Sequence, residues 1–63
     1  MSLHYTENEY GRNGTRKVVM VYAHKAGATR AFFSHAILHD GDKAYPIYDP
    51  TEADLDGFLY PHS

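Results

Sequence analysis

The chain has no cysteine, which excludes disulfides, thiolate zinc sites and a thiol nucleophile. Long apolar runs are missing as well. The longest, Val18-Val19-Met20-Val21 continued by Tyr22-Ala23, falls far short of the ~20 residues needed to cross a bilayer as a helix. The opening MSLHYTENEYG has neither the basic stretch nor the apolar stretch of a secretory signal, so a soluble, cytoplasmic protein is the expectation. Interior is scarce too. The 63 residues make one domain, 1–63, and a domain of this size buries only about 60% of the surface its unfolded chain exposes. With no disulfide to staple it, self-association as a homodimer is an expected source of added stability.

Charge is present but unevenly placed. The net charge is −2 at pH 7, yet Arg12, Arg16, Lys17, Lys25 and Arg30 occur with no acid among residues 12–30. From residue 31 onward six acids, Asp40, Asp42, Asp49, Glu52, Asp54 and Asp56, stand against Lys43 alone. Such a split either marks a surface of one sign or is cancelled when opposite charges meet across a sheet.

Turn residues divide the chain into short elements. Asn13-Gly14 is a strong hairpin signal, because a type I′ turn needs positive φ at both central residues and this dipeptide supplies it cheaply. It joins residues 3–10, whose polar TENEY stretch invites fraying, to residues 16–23, β-branched and apolar on both faces as a central strand is. Residues 28–39, ATRAFFSHAILH, fit either period. As a helix they place Phe32, Phe33, Ala36 and Ile37 on one stripe, giving a ββαβ unit. As a strand they put Phe32, Ser34, Ala36 and Leu38 on one face and Phe33, His35, Ile37 and His39 on the other. The tight Asp40-Gly41-Asp42 turn decides for the strand, paired with residues 43–49, in which Pro46 marks a sheet edge. Thr51 then caps a short helix with Glu52 and Asp54 in its first turn and Gly57 as its left-handed stop. The expected fold is a small, β-rich α+β domain with an antiparallel sheet of three to four strands and a short C-terminal helix.

Three chemistries compete for this chain. His35-Ala36-Ile37-Leu38, a turn, then Tyr48-Asp49-Pro50-Thr51 resemble the His-then-Asp half of papain-like and transglutaminase-like cysteine hydrolases, over 17 of the 63 residues. The resemblance implies His35 as base and Asp49 as its orienting carboxylate, but the cysteine that base would activate is missing. Ser34, adjacent to His35, should face the other way on a strand. The expectation is a catalytically inactive remnant at most, not an enzyme. Metal binding fares no better. Of the histidines at 4, 24, 35, 39 and 62, His35 and His39 share a strand face about 13 Å apart, from ~3.3 Å per residue, too far for one ion; no metal or cofactor is expected. Nucleic acid is an alternative, through Arg12, Arg16, Lys17, Lys25 and Arg30 with Tyr10 and Tyr22 nearby.

The favoured reading is binding to another protein. Six tyrosines and three phenylalanines exceed what so small a sheet can hide, and tyrosine is a favoured interface anchor. Tyr45 and Tyr48 on the edge strand, with Phe58 and Tyr60 at the tail, lie in sequence beside Asp49, Glu52, Asp54 and Asp56. An aromatic patch rimmed by carboxylates suits a partner with a basic groove, as for an inhibitor or adaptor.

Overall fold

The computed structural model describes residues 2–27 and 29–61. Among them the chain forms β1 (Leu3–Asn13), β2 (Arg16–Lys25), β3 (Ala31–Asp40), β4 (Lys43–Ile47) and α1 (Glu52–Leu59). The strands lie in sequence order, each antiparallel to the next. This is a four-stranded antiparallel sheet with one short C-terminal helix, and the helical alternative for residues 28–39 is overturned; Ala28 itself lies outside the described residues. The TENEY stretch is not frayed either. It belongs to β1, which pairs with β2 from Leu3–Lys25 to Asn13–Arg16 with Tyr10 alone left out of the register.

Both tight hairpins use the same device, one residue away from the expected place. Asn13 pairs with Arg16 and Asp40 with Lys43, so the two-residue loops are Gly14-Thr15 and Gly41-Asp42. Only the glycine of each has positive φ, 63° and 64°, which is the φ pattern of a type II′ turn, not type I′. The shift keeps Asn13 in the ladder, where its side chain is available for other work. The two turns touch, Gly41 N–H donating to the Thr15 carbonyl at 3.0 Å.

Two irregularities break the alternation of side chains. In β1 the register slips between Glu9 and Gly11, leaving Tyr10 as the extra residue. In β3 it slips opposite Val21 and Tyr22, leaving Ser34 unpaired. Each slip changes which residues face which way, as a β-bulge does. On one face stand Gly11 and Asn13 of β1, Arg16, Val18 and Met20 of β2, Ala36 and Leu38 of β3, and Tyr45 and Ile47 of β4, by register. α1 packs on this face. Its Leu55 and Leu59 join Val18 and Ala36 in a core flanked by Met20, Leu38, Ile47 and Phe58.

The helix begins as expected. Thr51 accepts from the Asp54 N–H and the Asp54 carboxylate accepts from the Thr51 N–H, both at 3.1 Å, a reciprocal cap that satisfies two otherwise open donors. It ends later than expected. Gly57 is not a stop; it lies inside α1, which runs on to Leu59. Burial of Leu59 outweighs the roughly 1 kcal/mol that glycine costs a helix interior relative to alanine. Because a Cβ at Gly57 meets nothing within 4 Å and its φ is not positive, Gly57→Ala is expected to stabilise the fold by about 0.5–1 kcal/mol. For a domain of this size that is a rise in thermal midpoint of roughly 2–8 °C, read by circular dichroism; a fall would show that α1 needs the glycine's freedom.

Beyond the helix the sheet continues alone. The body measures 46 × 23 × 15 Å, and the end carrying His4, Tyr22, His24 and Phe33 has no second layer built from the described residues.

Candidate functional site

β4 ends at Ile47, so Tyr48 and Asp49 leave the ladder instead of continuing an edge strand. Asp49 takes φ of 56°, a left-handed conformation that aspartate tolerates better than most residues, and it turns the chain toward the helix. This bend separates the two tyrosines that sequence places together. Tyr45, opposite Leu38, lies on the helix-bearing face. Tyr48 packs its ring against His35, 5.3 Å between centroids, and His35 stands on the other face opposite Val21. Tyr45, Tyr48 and Tyr60 are 49%, 66% and 56% exposed.

The acidic group is likewise divided by what each carboxylate touches. Asp54 is engaged in the N-terminal cap of α1. Asp56 accepts the Tyr10 hydroxyl at 2.9 Å, a contact made possible by the bulge that frees Tyr10 from the alternation of β1. This hydrogen bond raises the Tyr10 phenol above its ordinary value, with desolvation and the charges of Asp56 and Glu52 adding to it. The sign follows. The neutral phenol is favoured in the folded state, so its contribution is complete below the unfolded phenol's range and is lost as pH rises through the raised value. Phe58 is half-buried beneath the Arg16 guanidinium, 4.9 Å from its ring centre. Asp49 and Glu52 are exposed. The salt bridges among the described residues are Arg12–Glu9 at 3.0 Å and Arg16–Asp40 at 3.7 Å, and neither involves the carboxylates of α1.

Arg16 does internal work. Its Nη1 donates to the Phe58 carbonyl at 2.8 Å, and Asn13 Nδ2 donates to the Leu59 carbonyl. Together they satisfy two of the carbonyls that a helix C-terminus leaves open. The other cations do not converge on one surface. Arg12 and Lys17 are cross-strand neighbours at the turn end of the helix-free face. Lys25 ends β2 with its ammonium 5.9 Å from the Phe32 ring centre, some eight residues or ~26 Å along the strand from Lys17, at ~3.3 Å per residue. Arg30 lies in the connection beside it.

The histidines form pairs, not a ligand set. His4 and His24 stack at 4.6 Å with 6° between planes, and His24 Nε2 shares a hydrogen bond of 2.8 Å with the Thr6 hydroxyl. His35 and His39 lie on the helix-free face with Ile37 between them; His62 lies outside the described residues. Among the described residues no three His, Asp or Glu side chains are grouped to hold a metal ion, and no helix is long and apolar enough to cross a membrane.

One expectation about side-chain direction is overturned. Ser34 does not face away from His35: its Oγ lies 2.9 Å from His35 Nδ1, because the bulge at Ser34 suspends the two-residue alternation there. A hydroxyl held on an imidazole is the first half of an activated nucleophile. The other half is not assembled. The ring's neighbour is Tyr48, and among the described residues no hydrogen bond joins His35 to Asp49.

Comparison with protein-family models, curated proteins and solved structures finds no match. The residues that carry the functional reading are therefore those of this fold alone. Sequence reasoning missed one group among them. Leu3 and Tyr5 of β1, Val19 and Val21 of β2, and Phe32 and Ile37 of β3 share the helix-free face by register. The signal was the run of apolar residues on both faces of β2, which announces a second apolar surface besides the one under the helix.

Proposed function

We propose that this chain is a non-enzymatic, cytoplasmic protein-binding module, an inhibitor or adaptor, which meets a basic groove on its partner through acidic α1 and the tyrosines that flank it. One observation carries this reading. The carboxylates of Asp49, Glu52 and Asp54 are exposed and outside the salt bridges formed among the described residues, while Tyr45 and Tyr60 stand about half exposed beside the same helix-bearing face. Anchoring rings with polar tips, rimmed by unpaired charge of one sign, are the composition of a surface that steers toward a cation-rich partner and then docks on it. Asp56 and Phe58 are tied to the sheet beside this surface through Tyr10 and Arg16.

The test is affinity capture with the intact chain followed by mass spectrometry, beside Tyr45→Ala, Tyr60→Ala and Glu52→Lys. None of these side chains is buried, so the fold should survive each. The captured protein should be lost from both tyrosine variants, at about 2 kcal/mol or roughly 30-fold in affinity for an anchor. Glu52→Lys should chiefly slow association and weaken its salt dependence. Recovery of nucleic acid alone, equal for all variants and lost with Lys17→Ala or Arg30→Ala, would move the function to the basic residues.

A further inference from the structure

We propose that the helix-free face of the sheet is the interface of a homodimer, a reading independent of the partner surface above. The monomer is too open for its mass. A folded monomer of 7.1 kDa is expected to expose about 4,100 Å², whereas this chain exposes 4749 Å². Its radius of gyration is 13.2 Å, against about 10.6 Å for a compact domain of this length. The surplus surface, roughly 650 Å², is close to the ~800 Å² that each partner contributes to a standard interface. Six hydrophobic residues are buried, yet eight large apolar side chains are exposed among the described residues. Leu3, Tyr5 and Phe32 of the helix-free face are among the eight, each at least half open to solvent.

The register of this face is self-complementary, which points to a second copy as the occupant. Val19 of β2 sits directly beside Ile37 of β3, and Ala23 directly beside Phe32. A two-fold axis running along the strands between β2 and β3 lays β2 over the partner's β3. The Phe32 ring then falls on the partner's Ala23, large on small, as interdigitating sheets require, while Ile37 closes over the partner's Val19, which is only 7% exposed within its own sheet. The same operation carries β1 over the partner's β4. Glu9 is opposite Val19 in β1, and Pro46 is opposite Ile37 in β4, so Glu9 faces the partner's Pro46. Arg12 faces the partner's Ala44 by the same row count. Acids on this face are confined to β1 in the paired rows, so no carboxylate is laid on another. The helices end up on the two outer sides, leaving Tyr45, Tyr60 and Glu52 of both copies accessible.

Light scattering on the purified full chain at micromolar concentration should give twice the 7.1 kDa mass. Phe32→Ala and Ala23→Phe should each weaken dimerisation at least about tenfold, the first by removing the ring and the second by opposing two rings. The double variant should restore the dimer, because the two-fold axis then presents each new ring to the partner's new alanine. That rescue separates interface loss from misfolding, as does an unchanged circular dichroism spectrum. A folded monomer at every concentration would overturn the proposal. So would a dimer indifferent to both single variants, or one abolished by Tyr45→Ala, which lies on the opposite face. Loss of partner capture with dimerisation intact would refute only the binding surface proposed above.

Discussion

Leu59→Ala is expected to remove most of the folded population at ambient temperature. Leu59 is 2% exposed and belongs to the core with Val18, Ala36 and Leu55. Truncating such a leucine costs about 2–5 kcal/mol in transfer and cavity terms. A single core of this size rarely supplies more than ~3–5 kcal/mol in total, so the loss equals what there is to lose. The site also explains Gly11. A Cβ there would lie 2.8 Å from Leu59 Cδ1, so β1 carries no side chain where the leucine crosses it. Gly11→Ala and Leu59→Ala should therefore be strongly non-additive: the alanine at 11 clashes in the parent and partly fills the cavity in the variant. Urea unfolding read by circular dichroism, at several protein concentrations so that dimerisation is accounted for, measures both. Cooperative unfolding of Leu59→Ala with a midpoint near the parent's would show that α1 is not required for the sheet to hold.

What the sequence discloses here, and what it hides, follows from how local each signal is. Gly14 and Gly41 announce hairpins because positive φ is a property of one residue, and Thr51 with Asp54 announces a cap because both partners lie within one turn. Residues 28–39 fit two periods, and only the neighbouring Asp40-Gly41-Asp42 turn decides for the strand, which the fold shows as β3. The bulges at Tyr10 and Ser34 left no such mark. Both depend on which residue of the neighbouring strand sits opposite, which is non-local information, and each reverses side-chain direction beyond it. That is why Tyr10 reaches Asp56, why Ser34 reaches His35, and why His4 finds His24, none of which follows from spacing. Gly57 misled for a related reason. A glycine near a helix end usually stops it, but here the buried Leu59 two residues later, with its carbonyl bound from the hairpin, carries the helix past it. For the candidate site the composition was legible and its division was not: β4 stops at Ile47 and the bend at Asp49 takes Tyr48 to His35 on the face opposite Tyr45, and Asp54, Asp56 and Phe58 serve the fold as well as the surface.

The second large effect is expected at Arg16, which sequence alone offers to the alternative nucleic-acid surface and the fold places at the end of α1. That helix has no basic residue in its last turn, so the cation that complements its C-terminal dipole comes from the sheet. Arg16 donates to the Phe58 carbonyl, covers the Phe58 ring and lies 3.7 Å from Asp40. Its side chain is about one-third exposed, which discounts the ion pair but less so the hydrogen bond to a carbonyl in a part-buried contact. A charge-assisted bond of this kind contributes about 1.5–3 kcal/mol. Arg16→Ala should thus cost roughly 2 kcal/mol, visible as a lower thermal midpoint and as faster amide exchange in the last turn of α1, with the first turn, held by Thr51, unchanged. Arg16→Lys keeps the charge but not the planar fork, and should recover only part of the loss. A uniform increase in exchange along α1 would sink the assignment, since it would mean that the arginine supports the sheet and not the helix end. Arg16 and Asn13 are the ladder pair that closes the Gly14-Thr15 loop, and both bind carbonyls at the end of α1. The hairpin turn is therefore also the helix cap, and its register, fixed by a glycine at the first loop position, determines where the helix ends.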